Sequence, residues 1–248
     1  MKKFLYPLSI FILLSCNSEN AGDCLQTTGK IIEQEVTVEN FTKILVNRDV
    51  ALILKQGNEQ KVVIKTGSNL INDVTAVVTD GKLILTDNNT CNYVRDYNVT
   101  KVYVTAPNIT EIRSSTQCDI RSDGVLTYPS LALLSEDYGM PDTFTNANFY
   151  MEVETTTLRL TFNNLSNAYI SGKAETLGIT FAAGTSRFEG KNLIAQNINI
   201  WNRSSNDMLL NPQQSITGRI SGVGNVICVT RPAIVEVEQQ YKGRLIFE

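Results

Sequence analysis

The chain has 248 residues, of which 22 are Lys or Arg and 25 are Asp or Glu, so its formal net charge is −3. Nucleic-acid-binding domains usually carry a basic surplus, and this charge balance excludes that class. Histidine is absent, which removes the commonest general base and the commonest metal ligand from consideration. The length suits one large domain or two smaller ones.

The first residues have the layout of a bacterial export signal. Lys2 and Lys3 precede an apolar run over 4–14, and Ser15 and Cys16 follow it. The run is about half of the ~20 residues that a helix needs to cross a bilayer, which is typical of a cleaved segment. The ending Leu-Leu-Ser-Cys resembles a lipobox, which implies that Cys16 carries diacylglycerol and that its new amine is acylated, for example by palmitate. The alternative is a plain secretory signal that contains a cysteine.

We therefore expect an exported lipoprotein, anchored to the outer membrane of a Gram-negative bacterium. Residues 1–15 would be the signal peptide and 33–248 the folded domain. Residues 16–32 would be a flexible tether, because 17–23 are small, polar and acidic. The polar, irregular stretch 86–98 is a candidate loop or internal seam.

Four further cysteines are candidates for disulfides: Cys24, Cys91, Cys118 and Cys228. An exported setting permits disulfides, and four cysteines allow three pairings. Cys228 lies in an apolar, strand-like run, where a buried free thiol is an equally good expectation. No pair has CxxC spacing, so neither a metal site nor a redox motif is expected. The pairing stays open.

Short runs of alternating apolar and polar residues dominate the chain, and long helical patterns are missing. Such alternation predicts strands with one buried face. Among the early ones are strands expected at 36–38, 44–46, 51–54, 61–64 and 82–85. The Asp80-Gly81 pair predicts a tight turn before the last of these.

The second half of the chain carries a repeat of about 20 residues. Apolar residues two apart recur at Leu158/Leu160, Leu177/Ile179, Ile198/Ile200 and Val235/Val237. A second apolar position, expected to face inward, follows at Ile170, Phe188, Leu209, Ile227 and Ile246. This period predicts units that bury their apolar faces against their neighbours. We expect an all-β fold, namely a right-handed β-helix or β-solenoid of short stacked coils. A β-sandwich, whose strands recur every 8–12 residues, is the alternative.

The tail of the chain resembles a known family. Residues 216–226, followed by Arg231 and Pro232, resemble the last coils of the putative auto-transporter adhesin, head GIN domain family, and the opening strands at 41–44 and 102–107 fit it too. The resemblance spans roughly residue 33 to the C-terminus, and it implies the stacked β fold and an adhesive role. Several internal turns depart from the family's glycine pattern, so the fold carries over better than any binding surface.

No catalytic constellation can be identified. Glu136 and Asp137 form a local acidic pair, but a glycosidase needs two carboxyl groups about 5 to 10 Å apart, one with a raised pKa, and a solvated turn is expected instead. Residues 221–224, Ser-Gly-Val-Gly, lack the Lys and the helix of a phosphate loop, and they predict a tight corner between stacked strands. No catalytic residue, cofactor or metal is therefore expected.

Five aromatic residues are candidate ligand contacts: Trp201, Tyr138, Tyr93, Tyr97 and Tyr150. Such rings can stack on sugars or on a protein partner. Buried packing, or a cap at the end of the coil, is the alternative.

The sequence thus predicts a non-catalytic envelope lipoprotein, an adhesin or binding module that presents a rigid β-solenoid face. Its partners would be the membrane, through the lipid anchor, and a glycan or an envelope or host protein, but not nucleic acid. Two alternatives stay open: a carbohydrate-active enzyme, either a glycosidase or a lyase, on a β-helix, and a structural envelope component that associates with itself.

Overall fold

The computed structural model describes residues 22–89 and 91–248. The predicted signal peptide, 1–15, and the predicted lipid-bearing Cys16 lie outside the described residues. Within them the chain forms seventeen strands and two single-turn 3-10 helices, Asp23–Leu25 and Ile71–Asp73. The strands are β1 (Ile31–Val36), β2 (Lys43–Asn47), β3 (Ala51–Gln56), β4 (Lys61–Gly67), β5 (Val74–Thr79), β6 (Lys82–Asp87), β7 (Lys101–Ala106), β8 (Glu111–Ser115), β9 (Ile120–Leu126), β10 (Ser130–Ser135), β11 (Asn148–Phe162), β12 (Asn167–Phe181), β13 (Phe188–Asn202), β14 (Met208–Ile220), β15 (Val226–Cys228), β16 (Ile234–Gln239) and β17 (Leu245–Phe247).

Strands β11 to β14 are the long ones, and they lie parallel to one another. Leu158 pairs with Leu177, Leu177 with Ile198, and Ile198 with Ile216. Residues that recur along the sequence at steps of about 20 therefore lie side by side in space. The connections between these strands are short, for example 163–166 between β11 and β12. Each long strand must therefore bend round the core itself, so that its end returns to the level of its start.

The long strands take part in two ladders, because their two halves have different neighbours. The first ladder consists of β9, the first halves of the long strands, β15 and β17, paired side by side in that order. The second ladder consists of β10, the second halves of the long strands and β16. The register of β11 with β12 skips Thr156, which lies between the two halves. Both ladders turn their apolar side chains into one core. Phe149, Phe162 and Phe181 stack there, with ring centroids 5.1 and 5.4 Å apart.

The N-terminal part mixes parallel and antiparallel pairs. Strands β2 and β3 extend the two ladders parallel to β8 and β9, whereas β1–β4, β4–β7 and β5–β6 are antiparallel. The β5–β6 hairpin turns at Asp80 and Gly81, whose φ angles of 50° and 70° agree with the predicted tight turn. All the strands join one mixed sheet that curls round the core and nearly closes, as a barrel does. The predicted all-β class is confirmed.

Three of the positions predicted to face inward point outward instead. Leu209 and Ile227 are half-buried and Ile246 is exposed. The fully buried residues of these strands are their immediate neighbours, such as Met208 and Val226. Because successive side chains of a strand point to opposite faces, a register error of one residue inverts the assignment.

The Ser-Gly-Val-Gly segment forms a tight corner between β14 and β15, as predicted. A Cβ atom on Gly222 would collide with the carbonyl oxygen of Ser204, and one on Gly224 with that of Asn206. The corner therefore lies directly against the corner of the preceding repeat. Only glycine leaves room for so close an approach of two backbones.

The prediction of a flexible tether over 16–32 is wrong for residues 23–32. Cys24 forms a disulfide with Cys91, which settles the pairing that the sequence left open. The Nε2 atom of Gln26 donates a hydrogen bond to the carbonyl oxygen of Asn69 at 2.8 Å, and β1 begins at Ile31. This N-terminal strap (residues 22–30) is thus held against the domain. The stretch 86–98, predicted as a loop or seam, comprises the end of β6 and most of the loop that receives the disulfide.

Cys118 and Cys228 are free and buried. The expectation of a buried free thiol at Cys228 is confirmed. Burial raises the pKa of the Cys118 thiol to about 11 and that of Cys228 to about 12, because removal from water disfavours the charged thiolate.

Candidate ligand-binding face

The outer side of the first ladder carries one continuous column of side chains. Strand register places these residues next to one another from rung to rung: Arg121, Tyr150, Tyr169, Glu189, Leu209, Ile227 and Ile246. The column (hereafter the outer column) exists because each of them takes the same outward position in successive parallel strands. Neighbouring side chains in such a column are close enough to contact one another.

The N-terminal end of the outer column, formed by Arg121, Tyr150 and Tyr169, is a stack of three planar groups. The guanidinium carbon of Arg121 lies 3.8 Å from the ring centroid of Tyr150. The rings of Tyr150 and Tyr169 are 4.8 Å apart and inclined by only 8°. A cation over a stacked aromatic pair fixes the orientation of both rings. One face of Tyr169 is therefore covered by Tyr150, and Tyr169 keeps 37% of its surface exposed.

A bulge in β13 forms a depression beside Tyr169. Between Tyr169 and Gly172 on β12 the partner strand advances by one extra residue, from Glu189 to Leu193. The resulting hollow has a volume of about 330 Å³ and is lined by Tyr169, Ile170, Ser171, Glu189, Lys191 and Asn192. Bulges often redirect side chains next to functional sites. This one brings an ammonium, an amide and a carboxylate to the edge of an aromatic ring.

Two contacts hold the polar groups of this hollow in place. The Nε atom of Arg187 donates a hydrogen bond to the carboxylate of Glu189. The Nδ2 atom of Asn211 donates a hydrogen bond to the carbonyl oxygen of Lys191 at 3.1 Å, which fastens the bulge to the next rung. The side chains of Lys191 and Asn192 remain exposed. The hollow therefore offers a fixed carboxylate and ring together with free donors.

A second, more polar cleft lies between loops. It has a volume of about 640 Å³ and is lined by Asn47, Arg48, Thr86, Asp87, Asn88, Ser115 and residues 141–144. The Arg48 guanidinium lies 5.6 Å from the ring centroid of Phe144, and the N–H group of Phe144 donates a hydrogen bond to Ser115 Oγ. The cleft is open to solvent and contains one aromatic ring, already faced by Arg48.

Four of the five aromatic residues predicted as ligand contacts lie off the outer column, in three separate places. Tyr93 and Tyr97 share the loop between β6 and β7, and Tyr138 is on the loop between β10 and β11; all three are strongly exposed. Trp201 lies on the second ladder, half-buried, with the Arg219 guanidinium 4.5 Å from its ring centroid. The structure thus brings Tyr93 and Tyr97 onto one loop but does not gather all four.

Tyr150 was predicted from the sequence as a ligand contact, whereas Tyr169 and Arg121 were not. A signal was present, since Tyr150 and Tyr169 occupy equivalent positions in consecutive repeats. The spacing of Arg121 could not have revealed it, because Arg121 precedes its partner Tyr150 by 29 positions, whereas the repeat is about 20 residues.

The acidic pair at Glu136 and Asp137 leads into an exposed turn, in which the N–H group of Met140 donates a hydrogen bond to the carbonyl oxygen of Asp137, but both carboxylates also have protein partners. Glu136 is mostly buried, and its carboxylate accepts a hydrogen bond from the Arg113 guanidinium at 2.6 Å. Asp137 accepts hydrogen bonds from the side-chain amides of Asn163 and Asn164, at 2.6 and 2.8 Å, which lower the pKa of Asp137. A general acid needs the opposite shift. These contacts join the β10–β11 loop to the next rung.

No helix within 22–89 and 91–248 has the length and the apolar character to cross a membrane. Over the same ranges, no group of three or more Cys, Asp or Glu side chains is arranged to hold a metal ion.

The chain is similar to known proteins both in sequence and in fold. A family model described as putative auto-transporter adhesin, head GIN domain matches residues 40–232. A putative adhesin of known structure from Bacteroides fragilis has 18% sequence identity and a TM-score of 0.78, over 90% of this chain and 99% of that chain. A putative adhesin from Parabacteroides merdae has 14% identity and a TM-score of 0.57, over 89% and 98%. A putative lipid binding protein from Parabacteroides distasonis has 10% identity and a TM-score of 0.58, over 89% and 98%. At such identities the likeness shows the fold alone. None of the curated proteins matches this chain.

Proposed function

The chain belongs to the putative auto-transporter adhesin, head GIN domain family, and on that basis we propose that it is a non-catalytic binding module of the bacterial envelope. Its ligand-contact surface is the outer column together with the hollow beside Tyr169. The class of ligand is a glycan. A protein is the alternative ligand, and the binding array described below distinguishes the two. Membership of an adhesin family supports an envelope or surface location.

The hollow beside Tyr169 is the observation that carries the proposal. A sugar ring has an apolar face and a rim of hydroxyl groups, so a site for it needs an aromatic surface with polar groups around it. Tyr169 supplies the ring, and Glu189, Lys191 and Asn192 supply an acceptor and donors. The ring and Glu189 are already held in place by Tyr150 and Arg187, and pre-ordering reduces the entropy lost on binding.

The outer column suits an extended ligand because it continues over successive rungs. The repeat places equivalent positions about 4.8 Å apart from rung to rung. A polymer laid along the column would meet several weak contacts in series, and linked weak contacts give a much higher overall affinity than any one of them. Tyr138 and Trp201 lie off this column, and we propose them as peripheral contacts. Tyr93 and Tyr97 lie off it too, on the loop between β6 and β7.

Two finer features belong to the same proposal. We propose that the parallel rungs form a right-handed β-solenoid, which the register offset of about one repeat between successive rungs supports. We also propose that the mature chain begins at a lipidated Cys16 and is held in the outer membrane by its acyl chains. The lipobox-like sequence supports the lipidation of Cys16. Several acyl chains on that residue would anchor the protein durably, which a single chain does not.

A binding array tests the function. The purified mature protein is applied to immobilised bacterial and host glycans and to envelope proteins, in parallel with Tyr169→Ala and with Tyr241→Ala as the matched control. Tyr241 is an exposed tyrosine off the outer column. We expect glycan binding that Tyr169→Ala reduces and Tyr241→Ala does not. Binding to proteins alone would replace the glycan by a protein ligand, and silence across the whole array would overturn the adhesive role.

The same samples test for an enzyme. Polysaccharides incubated with the protein are assayed for new reducing ends and for unsaturated sugars. We expect no release above that of a heat-denatured sample. Turnover of any polysaccharide would show that the protein is a carbohydrate-active enzyme and would overturn the non-catalytic role.

A further inference from the structure

The N-terminal strap is fastened to the loop between β6 and β7 by more than its disulfide. The N–H group of Tyr93 donates a hydrogen bond to the carbonyl oxygen of Cys24 at 3.0 Å. The Arg95 guanidinium donates to the carbonyl oxygens of Asp23 at 2.6 Å and of Gln26 at 3.3 Å on the strap, and also to two carbonyl oxygens of its own loop. One half-buried cationic group thus ties the two segments together.

The loop itself is also fixed in shape. The side-chain oxygen of Asn92 accepts hydrogen bonds from the N–H groups of Val94 and Arg95, and its Nδ2 atom donates to the carbonyl oxygen of Arg95 at 2.8 Å. Such a side-chain-to-backbone turn holds the loop without help from a regular sheet. The side chains that the loop carries are therefore displayed from a fixed support.

Four apolar or aromatic side chains on this support are exposed. Tyr93 is 80% and Tyr97 74% exposed on the loop, next to Val94 at 50%, and Leu25 on the strap is 52% exposed. We call these four residues the anchor patch. Single exposed apolar residues are ordinary, but several on one small, rigid support indicate a surface that contacts something. Tyrosine in particular is favoured where an apolar phase meets water.

The predicted lipid on Cys16 places a bilayer within reach of the anchor patch. Only seven residues lie between Cys16 and Cys24, so even a fully extended chain of eight residue steps spans at most ~28 Å. The last rung, by contrast, is eight inter-strand steps from β7, a path of roughly 38 Å along the sheet at ~4.8 Å a step. A lipid on Cys16 would therefore keep the anchor patch within reach of the bilayer, whereas it would not tether the last rung.

We propose that the anchor patch lies in the surface of the bilayer that holds the Cys16 lipid, and that it orients the domain with its C-terminal rungs away from the membrane. This inference rests on the proposed lipidation of Cys16. Tethering makes the contact intramolecular, so even a weak apolar patch is occupied. The outer column would then run outward from the membrane, with its aromatic end nearer the lipid.

Fluorescence in proteoliposomes tests the orientation. The full-length lipoprotein is purified from membranes and reconstituted in phosphatidylcholine vesicles with and without brominated acyl chains, as Tyr93→Trp and as the matched control Tyr241→Trp. Both substitutions place an indole at an exposed tyrosine, and Trp201 contributes the same background to each. We expect bromine to quench most of the emission added by Tyr93→Trp and little of that added by Tyr241→Trp.

The outcomes separate this inference from the lipoprotein proposal. The mass of the N-terminal peptide of the mature protein shows whether Cys16 is acylated. If it is not, the lipoprotein proposal fails, and the orientation proposal fails with it. If Cys16 is acylated but the indole of Tyr93→Trp is quenched no more than that of Tyr241→Trp, the anchor patch does not contact the bilayer and only the orientation is overturned.

Discussion

Tyr150 and Tyr169 lie in adjacent rungs with their rings 4.8 Å apart and nearly parallel. Their nineteen-residue separation in sequence becomes direct contact because β11 and β12 pair in parallel at that offset. The pair turns one repeat of the chain into a preordered ring surface.

Removal of the supporting ring should weaken binding less than removal of the contact ring. Tyr150→Ala leaves Tyr169 in place but frees its covered face, and a stacked aromatic pair contributes about 0.5–1.5 kcal/mol. We therefore expect Tyr150→Ala to reduce affinity for the array-identified glycan by about 2- to 10-fold, and Tyr169→Ala by more, when measured by titration calorimetry. An unchanged affinity in Tyr150→Ala would show that the stack does not order the site.

Loss of the disulfide should destabilise the domain. The bond closes a loop over a sequence separation of 67 residues, and removing a cross-link of this kind typically costs about 2–4 kcal/mol. We expect reductant to lower the midpoint of urea unfolding of the native protein. In Cys24→Ser/Cys91→Ser, which lacks the bond, reductant should change nothing. Equal sensitivity of both proteins would point to another cysteine pair.

Two glycines should respond differently to the same added methyl group. Gly224→Ala places a Cβ against the carbonyl oxygen of Asn206, whereas at Gly178 the nearest atom to an added Cβ is 3.7 Å away, on the Arg159 side chain. Overpacking of this kind costs about 1–3 kcal/mol. We expect Gly224→Ala to lower the free energy of unfolding by that amount and Gly178→Ala to leave it nearly unchanged or raised. Similar effects would contradict the tight corner.

The buried thiols should make stability fall at alkaline pH. Burial raises the pKa of Cys118 to about 11 and of Cys228 to about 12, well above the ordinary value for a thiol. A raised thiol pKa means that the folded state holds its proton where the unfolded state has lost it. The stabilising contribution is thus complete below about pH 9 and is lost as the pH rises through the folded-state values.

Alkylation checks the same groups. At pH 8 we expect iodoacetamide to leave Cys118 and Cys228 unmodified in the native protein and to modify both in urea, as read by peptide mass spectrometry. Cys118→Ala/Cys228→Ala should lessen the alkaline decline in stability. Rapid alkylation of the native protein at pH 8 would show that these thiols are accessible.

Local patterns predicted the strands well because the alternation that buries one face of a strand is written in consecutive residues. The turn at Asp80 and Gly81 and the glycine corner at 221–224 were predictable for the same reason. Burial of Cys228 was expected from its apolar neighbours alone. Each of these features depends on a few adjacent residues.

Features that depend on register were not predictable in the same way. Leu209, Ile227 and Ile246 were assigned to the wrong face, since apolar residues there belong to the outer column and not to the core. The fastening of the strap was missed because Arg95 and its carbonyl acceptors are brought together from distant parts of the sequence. Nothing near Cys24 in the sequence singles out Cys91.

By itself the sequence determined the all-β class, the approximate strand positions and the family, since these follow from local periodicity and from the order of short motifs. Only the tertiary structure decided which residues stack in the outer column, where β13 bulges, and which cysteines join. The physical reason is that side-chain direction in a strand has a period of two, whereas the repeat length varies between rungs. A single inserted residue therefore changes the contacts without changing the class of fold.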